Sequence, residues 1–204
     1  MGTVTERGRV WVKAVMEPPA RALVRLGVSP DAITVLGTVG TTVVVLWLVP
    51  RGLFWQAVVG SLVFVFADSL DGTMARLAGR SSPWGAFLDS TMDRITDAAV
   101  FLAVAWFYLD RPDDRVWLAV TLVALVGGFL VSYARARAEG LGLRADVGIA
   151  ERTERLLIVA FGLLLADAWS LTALAIAVSA VAVLSWVTVL QRMLFVRGQS
   201  AATP

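Results

Sequence analysis

The chain has 204 residues, 58% of them hydrophobic and only 17% charged, and its mean hydropathy of +0.76 excludes water as the main solvent of its surface. It contains no Cys and no His, which excludes disulfides, thiolate nucleophiles and structural zinc sites and leaves acid/base or metal chemistry to Asp, Glu, Lys, Arg or Tyr. The formal net charge of +2 is small, and with carboxylates as the available ligands the favoured metals are oxygen-binding ones.

Residues 1–27 interleave Val10, Val12, Ala14, Val15, Leu23, Val24 and Leu26 with Arg and Lys and have no apolar core of signal-peptide type. The pattern predicts an amphipathic helix lying at the membrane interface. A membrane domain over 28–197 follows, and 198–204 is a short C-terminal tail. Apolar runs at about 31–49, 53–78, 84–109, 116–138, 153–168 and 170–195 are each of the length needed to approach or cross roughly 30 Å of hydrocarbon as a helix. Turn signals separate them at Pro50-Arg51-Gly52, Gly79-Arg80-Ser81-Ser82-Pro83 and Arg111-Pro112-Asp113-Asp114. The expected fold is therefore an all-α integral membrane protein with six transmembrane helices and an N-terminal interfacial helix, without internal repeats.

Basic residues set the orientation. Fourteen fall on one side: Arg7, Arg9, Lys13, Arg21, Arg25, Arg76, Arg80, Arg135, Arg137, Arg144, Arg152, Arg155, Arg192 and Arg197. Arg51, Arg111 and Arg115 fall on the other, and Arg94 lies within a span. Both termini are thus expected in the cytoplasm of a cell bounded by this membrane, as an even number of spans requires. The lopsided charge suits anionic lipid or phosphate-bearing substrates on that face and needs no nucleic acid to explain it.

Charged residues inside spans are costly and usually functional. Asp68 and Asp71, three apart near the cytoplasmic end of the second span, are expected on one helical face that Gly72 and Ala75 continue; Gly85, Asp89 and Asp93 step by four along the third. Four converging carboxylates would repel one another unless a cation lay between them. Two divalent ions of the Mg²⁺, Mn²⁺ or Ca²⁺ kind would provide that charge and serve phosphoryl transfer. A carboxylate-lined proton or ion pathway, or Asp–Arg pairs that only hold helices together, fit the same geometry. Asp97, one turn beyond Asp93, is open between an Arg partner and a cavity position.

The full spacing, Asp68-x-x-Asp71-Gly72-x-x-Ala75-Arg76, eight residues, then Gly85-x-x-x-Asp89-x-x-x-Asp93, resembles without departure the signature of the CDP-alcohol phosphotransferase family. That resemblance implies six transmembrane helices, a homodimer, and a site open to the cytoplasm. It implies two Mg²⁺ ions, with Mn²⁺ a possible substitute, on Asp68, Asp71, Asp89 and Asp93, the last also acting as general base. It further implies CDP-diacylglycerol as the lipid donor, with Gly72, Ala75 and Gly85 leaving room for the nucleotide and Arg76 on the diphosphate. Asp31 and Thr34 would add a nucleotide contact, although an ordinary helix-start cap is the plain alternative for them, and Ser82 would add a further polar contact.

For the acceptor, Ser132-Tyr133-Ala134-Arg135-Ala136-Arg137-Ala138-Glu139, Gly142-Leu143-Arg144 and Glu151-Arg152-Thr153-Glu154-Arg155-Leu156 resemble the actinobacterial branch of the family whose acceptor is inositol 1-phosphate. This implies a bacterial plasma-membrane enzyme with Arg135, Arg155 and Arg192 around the acceptor phosphate, a group that demands several cations. Positive-inside anchoring is the plainer reading of any one of these arginines. Glycerol 3-phosphate is the alternative acceptor within the same chemistry. An ion or proton carrier is the alternative outside it, and it leaves the fixed spacing of Gly72, Ala75, Arg76 and Gly85 unexplained.

Overall fold

The computed structural model describes residues 16–68, 70–77 and 82–202; residues 1–15, the first part of the expected interfacial helix, lie outside it, as do the side chains of Asp68, Asp71 and Ala75. Among the described residues there are helices and short connections and no strand. The helices are α1 (16–25), α2 (Pro30–Leu48), α3 (Phe54–Asp68), α4 (Asp71–Leu77), α5 (Pro83–Leu109), α6 (Arg115–Glu139), α7 (Arg152–Ala168) and α8 (Leu171–Ala202). Four stretches are long and apolar enough to cross a membrane: Pro30–Arg51, Phe54–Met74, Pro112–Glu139 and Leu171–Ser200. The 27 residues of α5 suffice by length but carry Asp89, Asp93, Arg94 and Asp97, and α7 has only 17 residues.

The helix limits follow local chemistry. Ser29 and Ser82 each stand before a proline, and each hydroxyl accepts a backbone N–H three residues on, from Ala32 at 3.2 Å and from Gly85 at 3.1 Å. Both α2 and α5 thus begin with the same device, a serine cap followed by a proline whose missing N–H costs the first turn nothing. The second apolar run is not one unbroken helix: α3 stops at Asp68, Leu70 forms a turn through its N–H to the carbonyl of Ala67 at 3.0 Å, and α4 starts at Asp71. Gly72, a poor helix former, is the second residue of α4.

The contacts divide the described residues into two units, the first comprising those up to Val43 together with those within Val59–Thr96, the second Val44–Val58 together with those from Asp97 onward. In the first, Met16, Ala20, Leu23 and Val24 of α1 recur on one face and pack with Leu70 and Met74, while Arg21 and Arg25 are exposed. In the second, Val45, Val49, Phe54, Phe101, Val104, Phe107 and Tyr108 join residues of α6, α7 and α8 in a buried apolar core. Both α6 and α7 pack along α8. A side chain at Gly162 of α7 would place its Cβ 2.4 Å from that of Ala177, so the missing side chain sets this close approach, a packing mode suited to lipid-embedded helices.

Two turns of the second unit each fasten a basic residue. Arg51 and Arg111 each donate to the carbonyl four residues back, of Trp47 at 2.5 Å and of Phe107 at 3.0 Å. Each also lies over that same residue's ring, at 3.8 and 3.7 Å. A cation at a helix C-terminus and on an aromatic face is stabilised twice. Trp47 and Trp55 flank the first of these connections in sequence, Trp106 and Trp117 flank the second, and Trp169 stands in the connection between α7 and α8, the kind of placement found where helices meet a membrane–water boundary.

Candidate active site

The first unit carries the acidic signature. Gly72 has open space where a side chain would be, and Arg76 is exposed, with its guanidinium 3.1 Å from the hydroxyl of Thr73. On α5, Gly85 sits in the capped first turn and Asp89, one turn on, is exposed. Asp93 follows after a further turn, partly buried, with a carboxylate oxygen 3.6 Å from the guanidinium of Arg94. The described half of the expected metal set is thus two carboxylates on one face of a helix. Their hard oxygen donors, free of any thiolate or imidazole in the chain, fit a divalent cation of the Mg²⁺ or Mn²⁺ class. Asp68 and Asp71 would complete the set from the broken segment between α3 and α4.

The softer assignments resolve individually. Asp31 is not the cap of α2, since Ser29 is; its carboxylate instead accepts the indole N–H of Trp84 at 3.0 Å. The hydroxyl of Thr34, 5% exposed as a residue, donates to the carbonyl of Pro30 at 3.2 Å. The hydroxyl of Ser82 is engaged in capping α5.

The second unit carries the arginines. Arg135 is exposed and pairs with Glu139 at 3.0 Å, and lies 3.7 Å from Glu151. Arg192 is 2% exposed. It donates to the carbonyls of Val147 at 2.8 Å and Val131 at 2.6 Å and lies 3.6 Å from the same Glu151 oxygen. Glu151 thus brings Arg135 and Arg192 to one carboxylate. Arg155, 1% exposed, donates to the carbonyl of Ala150 at 3.0 Å and to Asp97 at 2.9 Å. Asp97 also accepts from Arg152 at 3.1 Å, so of the two positions left open for it, the arginine partner is the one observed.

The segment between α6 and α7 is fastened to α8 by its own backbone. The hydroxyl of Thr188 accepts the N–H groups of Ile149 and Ala150 at 3.2 and 3.1 Å. The amide of Gln199 accepts from the N–H of Arg144 at 3.0 Å and donates to its carbonyl at 2.6 Å. Gly148, at φ +132°, lies so close to Thr188 that a side chain would collide with it, and its backbone angle is one that only glycine adopts without strain. In the same segment the guanidinium of Arg144, 2.5 Å away, holds the Asp146 carboxyl below the usual carboxylate range. Trp84, Glu151, Thr188 and Gln199 were not legible as site neighbours, because their partners are remote in sequence or are backbone groups.

A model of the CDP-alcohol phosphatidyltransferase family matches residues 27–193. A phosphatidylinositol phosphate synthase of Cutibacterium acnes is 46% identical over 195 residues, covering 92% of this chain and 94% of that protein. The protein of that name from Mycolicibacterium smegmatis is 44% identical over 192 residues, 91% of this chain and 85% of that one. Among solved structures, the phosphatidylinositol phosphate synthase of Mycobacterium tuberculosis with CDP-DAG bound superposes with a TM-score of 0.86 at 40% identity, covering 90% of this chain and 94% of that one. A second structure of that protein, in complex with manganese and citrate, gives 0.85 at 40% identity over 89% and 88% of the two chains. With the signature intact and the match running over most of its length, the chain belongs to the CDP-alcohol phosphatidyltransferase family and is a phosphatidyltransferase enzyme.

Proposed function

We propose that the enzyme transfers the phosphatidyl group of CDP-diacylglycerol to inositol 1-phosphate, releasing CMP. The observation that carries this reading is that the likeness to phosphatidylinositol phosphate synthases extends beyond the shared signature through the arginine-bearing second unit, at 46% identity over 195 residues for one relative. In this reading the donor's nucleotide lies by Asp31, Thr34, Gly72, Ala75, Ser82 and Gly85, with Arg76 offering its fork of donors to the diphosphate. Arg135, Arg155 and Arg192 hold the acceptor phosphate, whose charge is the reason for three guanidinia on one side of the membrane.

Asp93 takes the proton from the inositol hydroxyl, and that oxygen attacks the β-phosphorus of the donor. The new P–O bond forms as the bond to the bridging oxygen breaks, and the electron pair leaves on CMP. Asp68, Asp71, Asp89 and Asp93 are the residues that would hold two Mg²⁺ ions, which when bound supply positive charge for the phosphates and make the hydroxyl easier to deprotonate. The mode of membrane residence in this reading is six spans, with α5 and α7 joining the four apolar ones. Both termini and the site face the cytoplasm of a bacterial cell, and the enzyme works as a homodimer. The fourteen basic residues on one side support that orientation.

The test is CMP release from CDP-diacylglycerol by the purified enzyme with Mg²⁺ and inositol 1-phosphate, free inositol or glycerol 3-phosphate supplied in parallel. Release with inositol 1-phosphate alone is expected. Release with glycerol 3-phosphate in its place would keep the chemistry and overturn the acceptor.

A further inference from the structure

We infer that Asp97 is a positioning residue for the acceptor phosphate: it fixes the guanidinium of Arg155, with which it makes a buried ion pair at 2.9 Å. The inference rests on the reading of Arg155 as part of the acceptor site. Asp97 stands four residues after the last signature aspartate and belongs to no motif. Its side chain is 6% exposed and each of its oxygens engages a different guanidinium, Oδ1 that of Arg152 at 3.1 Å and Oδ2 that of Arg155 at 2.9 Å. A carboxylate withdrawn from water to this extent is held only by well-made charged hydrogen bonds, and here it has two.

The partners are not equivalent. The side chain of Arg152 is 31% exposed, whereas that of Arg155 is 1% exposed. Water can replace what Asp97 gives to Arg152, but it cannot do so for Arg155, whose orientation therefore depends on the carboxylate. The guanidinium is fixed on three sides: Asp97 takes one terminal nitrogen, the carbonyl of Ala150 takes the other, and the backbone of Gly128 lies against its Nε, where an added Cβ would stand at 3.2 Å. The Nε itself is buried and has no hydrogen-bond acceptor, so the protein does not consume all five donors of this guanidinium.

The experiment is steady-state kinetics of the full-length enzyme in detergent or lipid, varying inositol 1-phosphate and CDP-diacylglycerol separately, with inorganic phosphate as a competing probe. Asp97→Asn is expected to raise the acceptor KM about tenfold or more and to weaken inhibition by inorganic phosphate in parallel, while the KM for CDP-diacylglycerol stays within about twofold, for one lost charged interaction. A general loosening of the fold would move both KM values together. Asp97→Glu, which keeps the charge and displaces the carboxylate by one methylene, is expected to fall between wild type and Asp97→Asn, and it decides the matter if Asp97→Asn does not fold. An acceptor KM unchanged from wild type in either folded variant, or both KM values rising equally, overturns the inference. Failure of the wild-type enzyme to use inositol 1-phosphate would instead overturn the reading on which it rests.

Discussion

The indole N–H of Trp84 donates to a carboxylate oxygen of Asp31 at 3.0 Å, joining the second residue of α5 to the second residue of α2 across 53 positions of sequence. The two helices begin with the same serine–proline cap, so the bond links two pre-formed turns. If Asp31 contacts the donor nucleotide, Trp84 limits where its carboxylate sits. Trp84→Phe keeps an aromatic ring and deletes the donor. It is expected to raise the KM for CDP-diacylglycerol about three- to tenfold, the scale of one hydrogen bond, with the acceptor KM unchanged. Separate titration of the two substrates checks this, and a shift in the acceptor KM alone would place Trp84 elsewhere in the reaction.

Asp93→Asn keeps the shape of the side chain and removes its basicity. Turnover is expected to fall at least ~10²- to 10⁴-fold, the usual range for a positioned proton acceptor, while the purified protein elutes and melts like wild type. Removing divalent metal with EDTA should abolish CMP release, and added Mg²⁺ or Mn²⁺ should restore it. Activity that survives complete chelation would remove the carboxylates from a metal-binding role.

What was legible in the sequence was set by local chemistry. The run expected at 84–109 is the helix Pro83–Leu109, and the turn expected at Pro50-Arg51-Gly52 closes on Gly52 at φ 74°, because proline, glycine and unbroken apolarity act within a few residues. The break between α3 and α4 did not show, since one turn in an apolar run leaves its hydropathy intact. Nor did the choice between the two positions open to Asp97, whose partners stand 55 and 58 residues away. The burial of Arg155 and Arg192 was equally illegible. Arginines near span ends normally face headgroups, and only tertiary structure supplies the carbonyls of Val131, Val147 and Ala150 that make burial tolerable.

The contact between α7 and α8 at Gly162 predicts a stability effect without a chemical one. Gly162→Ala brings two Cβ atoms to 2.4 Å unless the helices move apart, and overpacking of this kind costs roughly 1–3 kcal/mol. A lower melting temperature in detergent is expected. Replacing Ala177 with Gly in the same protein should recover most of the loss, since the second change removes the atom that collides. A double variant no more stable than Gly162→Ala would mean that the helices separate rather than repack.

Glu151 presents one oxygen to both Arg192 and Arg135, at 3.6 and 3.7 Å, and its side chain is 54% exposed. These separations exceed hydrogen-bond length, so the carboxylate is a loose counter-charge that a phosphate dianion can displace. Glu151→Gln removes the competing charge at nearly constant shape. The expected result is an acceptor KM and an inhibition constant for inorganic phosphate both lowered about two- to fivefold, the scale of one partly exposed ion pair, with the KM for CDP-diacylglycerol unchanged. The sign of the change separates two roles. A lower acceptor KM means that Glu151 occupies the place of the phosphate until the acceptor arrives. A higher one means that it holds Arg135 and Arg192 in register for it, and that its loss lets the exposed Arg135 side chain swing into water.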